Sequence, residues 1–485
     1  GTRFVPQPIT MTRASAGTRV NSSGLVETVE LLGSEELDNT DFSSVISPWT
    51  EVNINTTFSP LLFTNTANNG SIRQGFTTIV GKSYKLSGDI TSGAWTIYAS
   101  TSTSTGGSLG SITSSGSLYF TATTTTTYIL CYLVGGTGTE GVISSVSVKE
   151  STKNNLARVD YDGTASSLLV EPERKNLITY SSDYSGWSKN GVSVTSGFVS
   201  PDGTTNASKI TATSADPNLY KIIDVGLGKV TFSFYGKADE PYVGRILFWA
   251  IGTAVVSGTI SNNFTLSNEW QRYEATIEVT TAGTLGFRLD FPINAGGNVG
   301  EYGYLWGAQV EEGSYATSYI PTDGGTVTRV KDQYSKTGIS NLINSEEGVL
   351  FAEIAALSDD GTEKIISLSD NTVANRLEMK LRSSGSIEGR FDSASSDITL
   401  TTTGISTTDT NKIALYWTSG KCALWINGVK EQENLTFNTF PNNSLITLDF
   451  LSVFGGGISN FYGKVKQLQV YDTALTPTQL QALTS

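Results

Sequence analysis

Short β-type runs separated by turn residues constrain the fold of this chain more than any other feature. Val, Ile, Thr, Tyr and Phe recur between clusters of Gly, Asn, Asp and Ser. Runs such as residues 230–235 and 273–279 alternate apolar and polar side chains, as strands with one buried face do. The pattern predicts an all-β protein of antiparallel sheets. The clearest helix signal is the capping pattern of Thr476 and Gln479, which predicts a short helix over residues 477–483.

The length of the chain predicts several domains. At roughly 150 residues per domain, 485 residues correspond to about three. Composition and recurring patterns place the boundaries of an N-terminal arm, two jelly-roll sandwiches and a third sandwich at residues 1–30, 31–150, 151–325 and 326–485. Pro6 and Pro8 favour an extended arm, for which we predict a role as anchor.

The charge balance and the absence of histidine exclude several classes of function. Lys and Arg number 32 against 45 Asp and Glu, a net charge of −13, so we expect neither a nucleic-acid partner nor an anionic membrane. No apolar run approaches the ~20 residues of a membrane helix, so membrane insertion is not expected. With His at zero, serine-triad hydrolysis and zinc catalysis are excluded, and the G-x-S-x-G match at 106–110 is attributed to chance.

Two segments early in the chain carry a family resemblance. They are residues 157–161 (ARVDY) with 168–177 (LLVEPERKNL), and residues 12–15 (TRAS) with 24–27 (GLVE). Together they resemble the lead-in of modular fibre and tail structural proteins of bacteriophages. The segment 31–150 resembles a divergent module inserted between the two halves of this lead-in.

The middle of the chain resembles the jelly-roll modules of the same family, which are similar to carbohydrate-binding modules. The most specific part is the close of the module, residues 306–313 (WGAQVEEG) and 316–322 (ATSYIPT). The resemblance covers about residues 155–325.

The third domain resembles concanavalin A-like or laminin-G-like sandwiches. The residues that carry this resemblance are 412–417 (KIALYW), 423–429 (ALWINGV) and 463–471 (GKVKQLQVY). Within them, Asn427 and Gly428 follow an apolar run and both tolerate positive φ, which predicts a tight hairpin turn. The fold class expected for the whole chain is therefore all-β, with a jelly roll, a second jelly roll and a concanavalin A-like sandwich in tandem.

The family resemblance implies a non-enzymatic virion protein. Such a fibre or spike would lie on the surface of a phage head or tail, assemble as a homotrimer, contact other virion proteins, and either bind surface polysaccharide of the host cell or decorate the particle. The alternatives are a secreted bacterial adhesin that binds glycans and, as the enzyme alternative, a polysaccharide depolymerase.

Carbohydrate binding without catalysis requires an aromatic platform for the C–H faces of a sugar and nearby groups that bond its hydroxyls. The candidates are Trp187, Tyr235, Trp249, Trp417 and Trp425. Trp417 and Trp425 lie in apolar strand runs, which favours a core position for both. Trp187 follows Gly186 in a polar loop and is the residue we expect to be exposed.

No cofactor is required by these patterns, but calcium is considered because Asp carboxylates in loops supply the hard oxygen ligands that it prefers. Asp359, Asp360 and Asp370 lie in one loop-rich stretch of the third domain and are the candidate ligands. Turn formation is the alternative role of the Asp360-Gly361 pair.

Overall fold

The computed structural model describes residues 6–250, 254–258, 260–290, 299–383, 385–452 and 459–485, and all strand pairings among them are antiparallel. The chain divides into two compact units, one made of Gly1–Val29 with Asn154–Ser485 and the other of Glu30–Lys153. We call them the host unit and the inserted unit, because the second interrupts the sequence of the first. The predicted all-β class with tandem antiparallel sandwiches is confirmed.

The host unit begins with three short strands. They are β1 (Thr10–Thr12), β2 (Thr18–Val20) and β3 (Val26–Thr28), of which β2 and β3 pair with each other.

The inserted unit is a sandwich with its own core. Its strands are β4 (Leu31–Glu35), β5 (Thr50–Val52), β6 (Ile54–Phe58), β7 (Leu61–Asn65), β8 (Ser71–Thr77), β9 (Ser83–Ser92), β10 (Trp95–Ser100), β11 (Ser108–Ile112), β12 (Gly116–Thr121), β13 (Thr126–Leu133) and β14 (Glu140–Thr152). One sheet has the order β11-β10-β13-β8-β5 and the other β12-β9-β14-β7-β6, with β4 also paired to β14. Ile72, Ile97 and Ile129 from the first sheet meet Leu86 and Val146 from the second.

The middle sandwich of the host unit repeats this arrangement. Its strands follow β15 (Arg158–Asp162), β16 (Ala165–Val170) and β17 (Arg174–Asn176), and are β18 (Ser188–Asn190), β19 (Val192–Phe198), β20 (Ala207–Ala212), β21 (Asn218–Val225), β22 (Gly228–Lys237), β23 (Tyr242–Ala250), β24 (Val255–Ser257), β25 (Ser261–Leu266), β26 (Gln271–Thr281), β27 (Gly283–Asp290) and β28 (Tyr302–Glu312). A five-stranded sheet, β25-β23-β27-β21-β18, packs on the six-stranded sheet β19-β20-β28-β22-β26-β24. Both sandwiches thus order their strands alike, which supports an internal duplication.

The terminal sandwich of the host unit has two seven-stranded sheets. The strands after residue 326 are β29 (Val327–Arg329), β30 (Gln333–Thr337), β31 (Gly348–Ala356), β32 (Lys364–Ser369), β33 (Arg376–Arg382), β34 (Ser386–Ser393), β35 (Ser396–Thr403), β36 (Asn411–Thr418), β37 (Lys421–Ile426), β38 (Val429–Asn434), β39 (Thr447–Asp449), β40 (Leu451–Ser452), β41 (Ser459–Asn460) and β42 (Gly463–Tyr471), followed by helix α1 (Pro477–Thr484). Outside the two large sheets, β29 pairs with β17 and β40 pairs with β41. The sheets are β1-β30-β39-β32-β33-β34-β35 and β15-β16-β42-β31-β36-β37-β38. No helix among the described residues has the length and apolarity to cross a membrane.

Two local predictions for the terminal sandwich are confirmed. Helix α1 starts with Pro477 after Thr476, whose hydroxyl accepts a hydrogen bond from the backbone N–H of Gln479. Asn427 and Gly428 have φ angles of 48° and 83° and join β37 to β38.

The expected extended arm at residues 1–30 is corrected by the structure. β1 pairs with β30, so residues 10–12 form an edge of the terminal sandwich. β15 and β16 lie within the predicted domain 151–325, but they form an edge of the other sheet of the terminal sandwich. These partners lie far apart in sequence, and hydrophobic periodicity shows that a strand exists but not which strand it pairs with. That residues 1–30 anchor the chain to a virion stays a prediction, as do the remaining domain boundaries.

A buried group of five charged residues, which we call the ion cluster, joins these distant segments. Its members are Arg13, Arg158, Glu171, Arg329 and Asp332, and each is almost fully buried. Arg158 contacts both carboxylates, with its Nη1 2.6 Å from Oε2 of Glu171 and its Nη2 bonded to Asp332. Arg13 Nη1 lies 2.8 Å from Oδ1 of Asp332, and Arg329 Nη1 lies 2.8 Å from Oε2 of Glu171.

Hydrogen bonds from Ser318 complete the surroundings of Glu171. The backbone N–H and the hydroxyl of Ser318 donate to the two carboxylate oxygens at 2.7 and 2.6 Å. Burial by itself raises the pKa of Glu171, but the attraction of Arg329 and Arg158 and the bonds from Ser318 outweigh it and hold this pKa well below its ordinary value. The folded state therefore keeps Glu171 ionised in acid.

Removing the carboxylate of Glu171 should strongly destabilise the host unit. Glu171→Ala leaves Arg158 and Arg329 buried without one of their counter-ions, and we expect the free energy of unfolding to fall by about 3–5 kcal/mol. Chemical denaturation measures this change. The exposed Glu173 provides the control, since Glu173→Ala should change stability by less than about 0.5 kcal/mol. Equal effects of the two substitutions would contradict a stabilising ion cluster.

The ion cluster should also make stability depend on pH. Because the folded-state pKa of Glu171 lies below the ordinary value of 4.5, its contribution is complete above that value and is lost as the pH falls toward the folded pKa. The unfolding free energy of the wild type should therefore decline between about pH 5 and pH 3, and Glu171→Gln should reduce this slope. Parallel profiles for the two proteins would be the contrary result.

Candidate functional site

Strand alternation presents an exposed tryptophan on the outward face of the five-stranded sheet of the middle sandwich. In β23, Ile246 and Phe248 point into the core, and Trp249 points to the other side and is 43% exposed. In the next strand but one, β21, Leu219 is buried and Tyr220 faces outward. The rings of Tyr220 and Trp249 meet edge to face with centroids 5.5 Å apart.

Two arginines lie on the same outward side of the sheet as these rings and hold one buried carboxylate. Arg245 stands directly opposite Asp290 on the neighbouring strand, with its Nε 2.7 Å from Oδ2 of Asp290. Arg288, two residues before Asp290 in β27, donates from Nε to the other carboxylate oxygen. Asp290 is 1% exposed, whereas both guanidinium groups reach solvent. Asp290 therefore fixes the two arginines in place.

The register of the sheet brings these residues into one surface. Tyr220 is opposite Arg288, and Trp249 is opposite Gly286, which carries no side chain. We name the surface formed by Tyr220, Arg245, Trp249, Arg288 and Asp290 the Trp249 face. The exposed Asp216 lies 3.6 Å from Nη2 of Arg288, so the face offers both N–H donors and a carboxylate acceptor beside its aromatic rings.

Trp249 is thus the predicted aromatic residue that the structure exposes beside polar groups, and its role in binding carbohydrate stays a prediction. Tyr220, Arg245 and Arg288 were not among the residues predicted to bind carbohydrate. Each lies at an outward position of an alternating strand, a signal present in the sequence. Their assembly depends on a strand register that the sequence does not reveal.

The expectation that Trp187 is exposed is wrong. It is 3% exposed and lies in the core of the middle sandwich, with its ring centroid 4.9 Å from that of Tyr184 and 6.2 Å from that of Phe232. The backbone N–H of Trp187 bonds to the carbonyl of Tyr184, and this turn directs the indole inward. A polar loop can bury one large side chain when its backbone turns toward the core.

Trp417 and Trp425 are also buried, so neither can serve as an open platform for a sugar. Trp417 lies in the core of the terminal sandwich and donates from Nε1 to the carbonyl of Ser345 at 3.2 Å. Trp425 is on the other side of the same sheet, where it forms a cluster with Leu480 of helix α1. The core alternative considered for both residues is the correct one.

Tyr235 is half-buried and its ring is in contact with an aromatic and a cationic side chain of the same sandwich. Its ring meets that of Trp306 edge to face at 5.5 Å, and the guanidinium of Arg272 lies 5.5 Å from its centroid. Burial raises the pKa of Tyr235. The residue packs between host side chains, which contradicts its predicted role as a stacking platform.

The predicted calcium ligands do not form a site. Asp360 accepts hydrogen bonds from Thr362 and from Nζ of Lys364, and Asp370 accepts from Thr372 and Asn375. Within the described part of the chain, no three His, Cys, Asp or Glu residues are placed together to hold a metal. Asp359 therefore belongs to no such group among these residues. Both acceptors stabilise turns, which is the alternative considered for this stretch.

The terminal sandwich carries a row of charged residues on β33 and β34 that bears on the depolymerase alternative. Nζ of Lys380 lies 3.0 Å from Glu378 and 3.2 Å from Glu388, and Arg376 Nε lies 2.7 Å from Asp392. Glycosidases require a carboxyl group that is protonated at working pH. Each of these carboxylates is instead engaged in a salt bridge with a neighbouring cation, so the row is arranged for ion pairing.

Replacing Trp187 should affect stability. Because its indole fills the core, Trp187→Ala should lower the free energy of unfolding by about 3–5 kcal/mol, measured by chemical denaturation. Tyr180 lies in the same sandwich and is 49% exposed, so Tyr180→Ala should cost less than about 0.5 kcal/mol. A loss below about 1 kcal/mol for Trp187→Ala would contradict the core position.

Comparisons with known proteins give no functional assignment. No family model and no curated protein matches the chain. Solved structures with local similarity include the CBM40 of the Ruminococcus gnavus IT-sialidase bound to alpha2,3 sialyllactose, at 15% identity over 31% of this chain and 91% of that chain with a TM-score of 0.27. The native heptameric SAP-like pentraxin from Limulus polyphemus matches at 19% identity over 30% of this chain and 71% of that chain, TM-score 0.25. The CBM22-1-CBM22-2 tandem domain of Paenibacillus barcinonensis Xyn10C matches at 12% identity over 58% of this chain and 98% of that chain, TM-score 0.21. These values are too low to carry a functional argument.

Proposed function

We propose that this chain is a carbohydrate-binding protein without catalytic activity, and that it binds glycan at the Trp249 face. The observation that carries the proposal is the exposed Trp249 in contact with Tyr220 and beside two arginines held by the buried Asp290. The rings suit the C–H faces of a sugar, and the guanidinium N–H groups suit its hydroxyls.

The fixed geometry of the face favours binding. Arg245 and Arg288 each bond to Asp290, so little side-chain freedom remains to be lost when a ligand arrives. Asp216 supplies acceptor atoms beside Arg288. The charges of the two arginines are balanced by those of Asp290 and Asp216, which makes the face suitable for neutral, hydroxyl-rich ligands.

The biological setting that we propose is a phage virion, with the chain as a homotrimeric fibre or spike that attaches to host surface glycans or decorates the particle. The support for it is the resemblance of residues 157–177 and 306–322 to fibre and tail proteins. A secreted bacterial adhesin would use the same face for the same chemistry, so the proposal of glycan binding does not depend on the choice between them.

Three measurements on the purified chain test the fibre assignment, glycan binding and the absence of catalysis in turn. Sedimentation gives the oligomeric state, for which a trimer is the result expected of a fibre. Periodate oxidation of host-cell sugars should abolish binding to whole cells. An assay of reducing ends released from host polysaccharide should show none, and their release would overturn the non-catalytic assignment.

Trp249→Ala should weaken glycan binding without unfolding the protein. Loss of the stacking ring should lower affinity at least tenfold, which corresponds to about 1.4 kcal/mol, in isothermal titration with an oligosaccharide that the wild type binds. Because the side chain is exposed, the unfolding midpoint should change little.

The matched control for Trp249→Ala is Tyr180→Ala, which removes a similarly exposed aromatic ring outside the Trp249 face. Its affinity should equal that of the wild type. Unchanged affinity of Trp249→Ala would refute the role of this face.

A further inference from the structure

The inserted unit contains a cavity that no part of the proposed function uses. Its volume is about 340 Å³, within the range of small-ligand sites. The lining residues are Asp38, Pro48, Thr50, Arg73, Gln74, Gly75, Thr103 and Tyr128. Arg73, Gly75 and Tyr128 come from the outward side of the five-stranded sheet, and Asp38, Pro48 and Thr103 come from the loops beside it, so the cavity is open to ligands from solvent.

A tyrosine ring and a glycine form one wall of the cavity. Tyr128 of β13 is directly opposite Gly75 of β8, and a Cβ added to Gly75 would lie 2.8 Å from Cε1 of Tyr128. Glycine therefore allows the ring to lie against the backbone of the neighbouring strand. On the same side of the sheet, Tyr98 and Tyr132 meet edge to face with centroids 5.9 Å apart. The outward surface of this sheet is aromatic like the Trp249 face.

Hydrogen bonds position the polar groups of the cavity, but among the described residues they do not use all of the donor and acceptor atoms of these groups. The buried Gln74 accepts from the backbone N–H of Asp38 at 2.8 Å and donates to its carbonyl at 2.9 Å, which fixes this loop on the sheet. Arg73 donates from Nη1 to the carbonyl of Thr103 at 3.2 Å. Among the described residues, no hydrogen bond or ion pair engages the Asp38 carboxylate or the other N–H groups of Arg73.

The cavity lies on the sheet that corresponds to the one carrying the Trp249 face. The orders β11-β10-β13-β8-β5 and β25-β23-β27-β21-β18 match strand for strand. In this matching order β8, which carries Arg73, occupies the place of β21, which carries Tyr220, and β10, which carries Tyr98, occupies the place of β23, which carries Trp249. Each surface brings together aromatic rings, arginine and a carboxylate, and the two surfaces share no residue. The cavity is therefore evidence separate from the Trp249 face.

We propose that this cavity is a second carbohydrate-binding site, so that one chain holds two saccharide ligands, one on each unit. Tyr128 provides the wall for the C–H face of a sugar ring, Arg73 donates to its hydroxyls, and Asp38 accepts from them. The inference rests on the proposed function for the class of ligand, but its residues and its fold unit are separate.

The test uses the full chain on an array of printed bacterial and plant oligosaccharides, with the Trp249→Ala variant as the background. This variant should keep binding to part of the array. Adding Arg73→Gln should reduce that remaining binding at least tenfold, and adding Tyr128→Ala instead should do the same. Because Arg73 is only half-buried, Arg73→Gln tests the site even if Tyr128→Ala fails to fold.

Lys82→Gln is the charge-matched control. It removes a positive charge from an exposed side chain of the same unit, away from the cavity lining, and should leave array binding unchanged. Isothermal titration with an oligosaccharide that the single variants Trp249→Ala and Arg73→Gln both bind should give two ligands per wild-type chain and one per chain of either single variant.

The outcomes separate this inference from the proposed function. Loss of all array binding in Trp249→Ala, or survival of the residual binding in Arg73→Gln, would overturn the second site and leave the Trp249 face intact. Binding by Trp249→Ala that depends on Arg73 supports the second site. A wild-type chain that binds no oligosaccharide on the array would overturn both.

Discussion

The ion cluster is the interaction on which the architecture of the host unit depends. Arg13 stands before the inserted unit, whereas Arg158, Glu171, Arg329 and Asp332 follow it, and their salt bridges join segments that the sequence separates widely. Three arginines and two carboxylates are buried together, so removing any one leaves charges that water cannot reach. The cluster thereby requires the two halves of the lead-in to meet whenever the host unit folds.

This constraint explains how a complete sandwich can interrupt another unit. The inserted unit has its own core between its two sheets, and the host unit pairs β1, which precedes the interruption in sequence, with β30, which follows it. Stability of the host unit is therefore supplied by contacts of its own residues. The surfaces of the sheets are then available for function, and in both sandwiches with a five-stranded sheet the outward side of that sheet carries aromatic rings and arginine.

How far the candidate site could be predicted differs from residue to residue. Trp249 was identified from its residue type, and its exposure agrees with strand alternation, since it directly follows the inward-facing Phe248 in β23. Trp187 was misjudged because its polar neighbours suggested a loop on the surface, and only the turn at Tyr184 shows that the ring enters the core. The partners of Trp249 could not be assigned because cross-strand register places them, and one residue of slip would move each to the opposite side of the sheet.

The amino-acid sequence is enough to predict the all-β class, the strands with alternating sides, the capped helix α1 and the turn at Asn427 and Gly428, because period, capping and positive φ are local properties. It does not predict that β1, β15 and β16 belong to the terminal sandwich, or that Arg245, Trp249 and Arg288 share one surface, and the folded chain shows both. The physical reason is that sheet pairing and ion-pair burial join residues distant in the chain, and no local pattern records which partner a strand or a charge will meet.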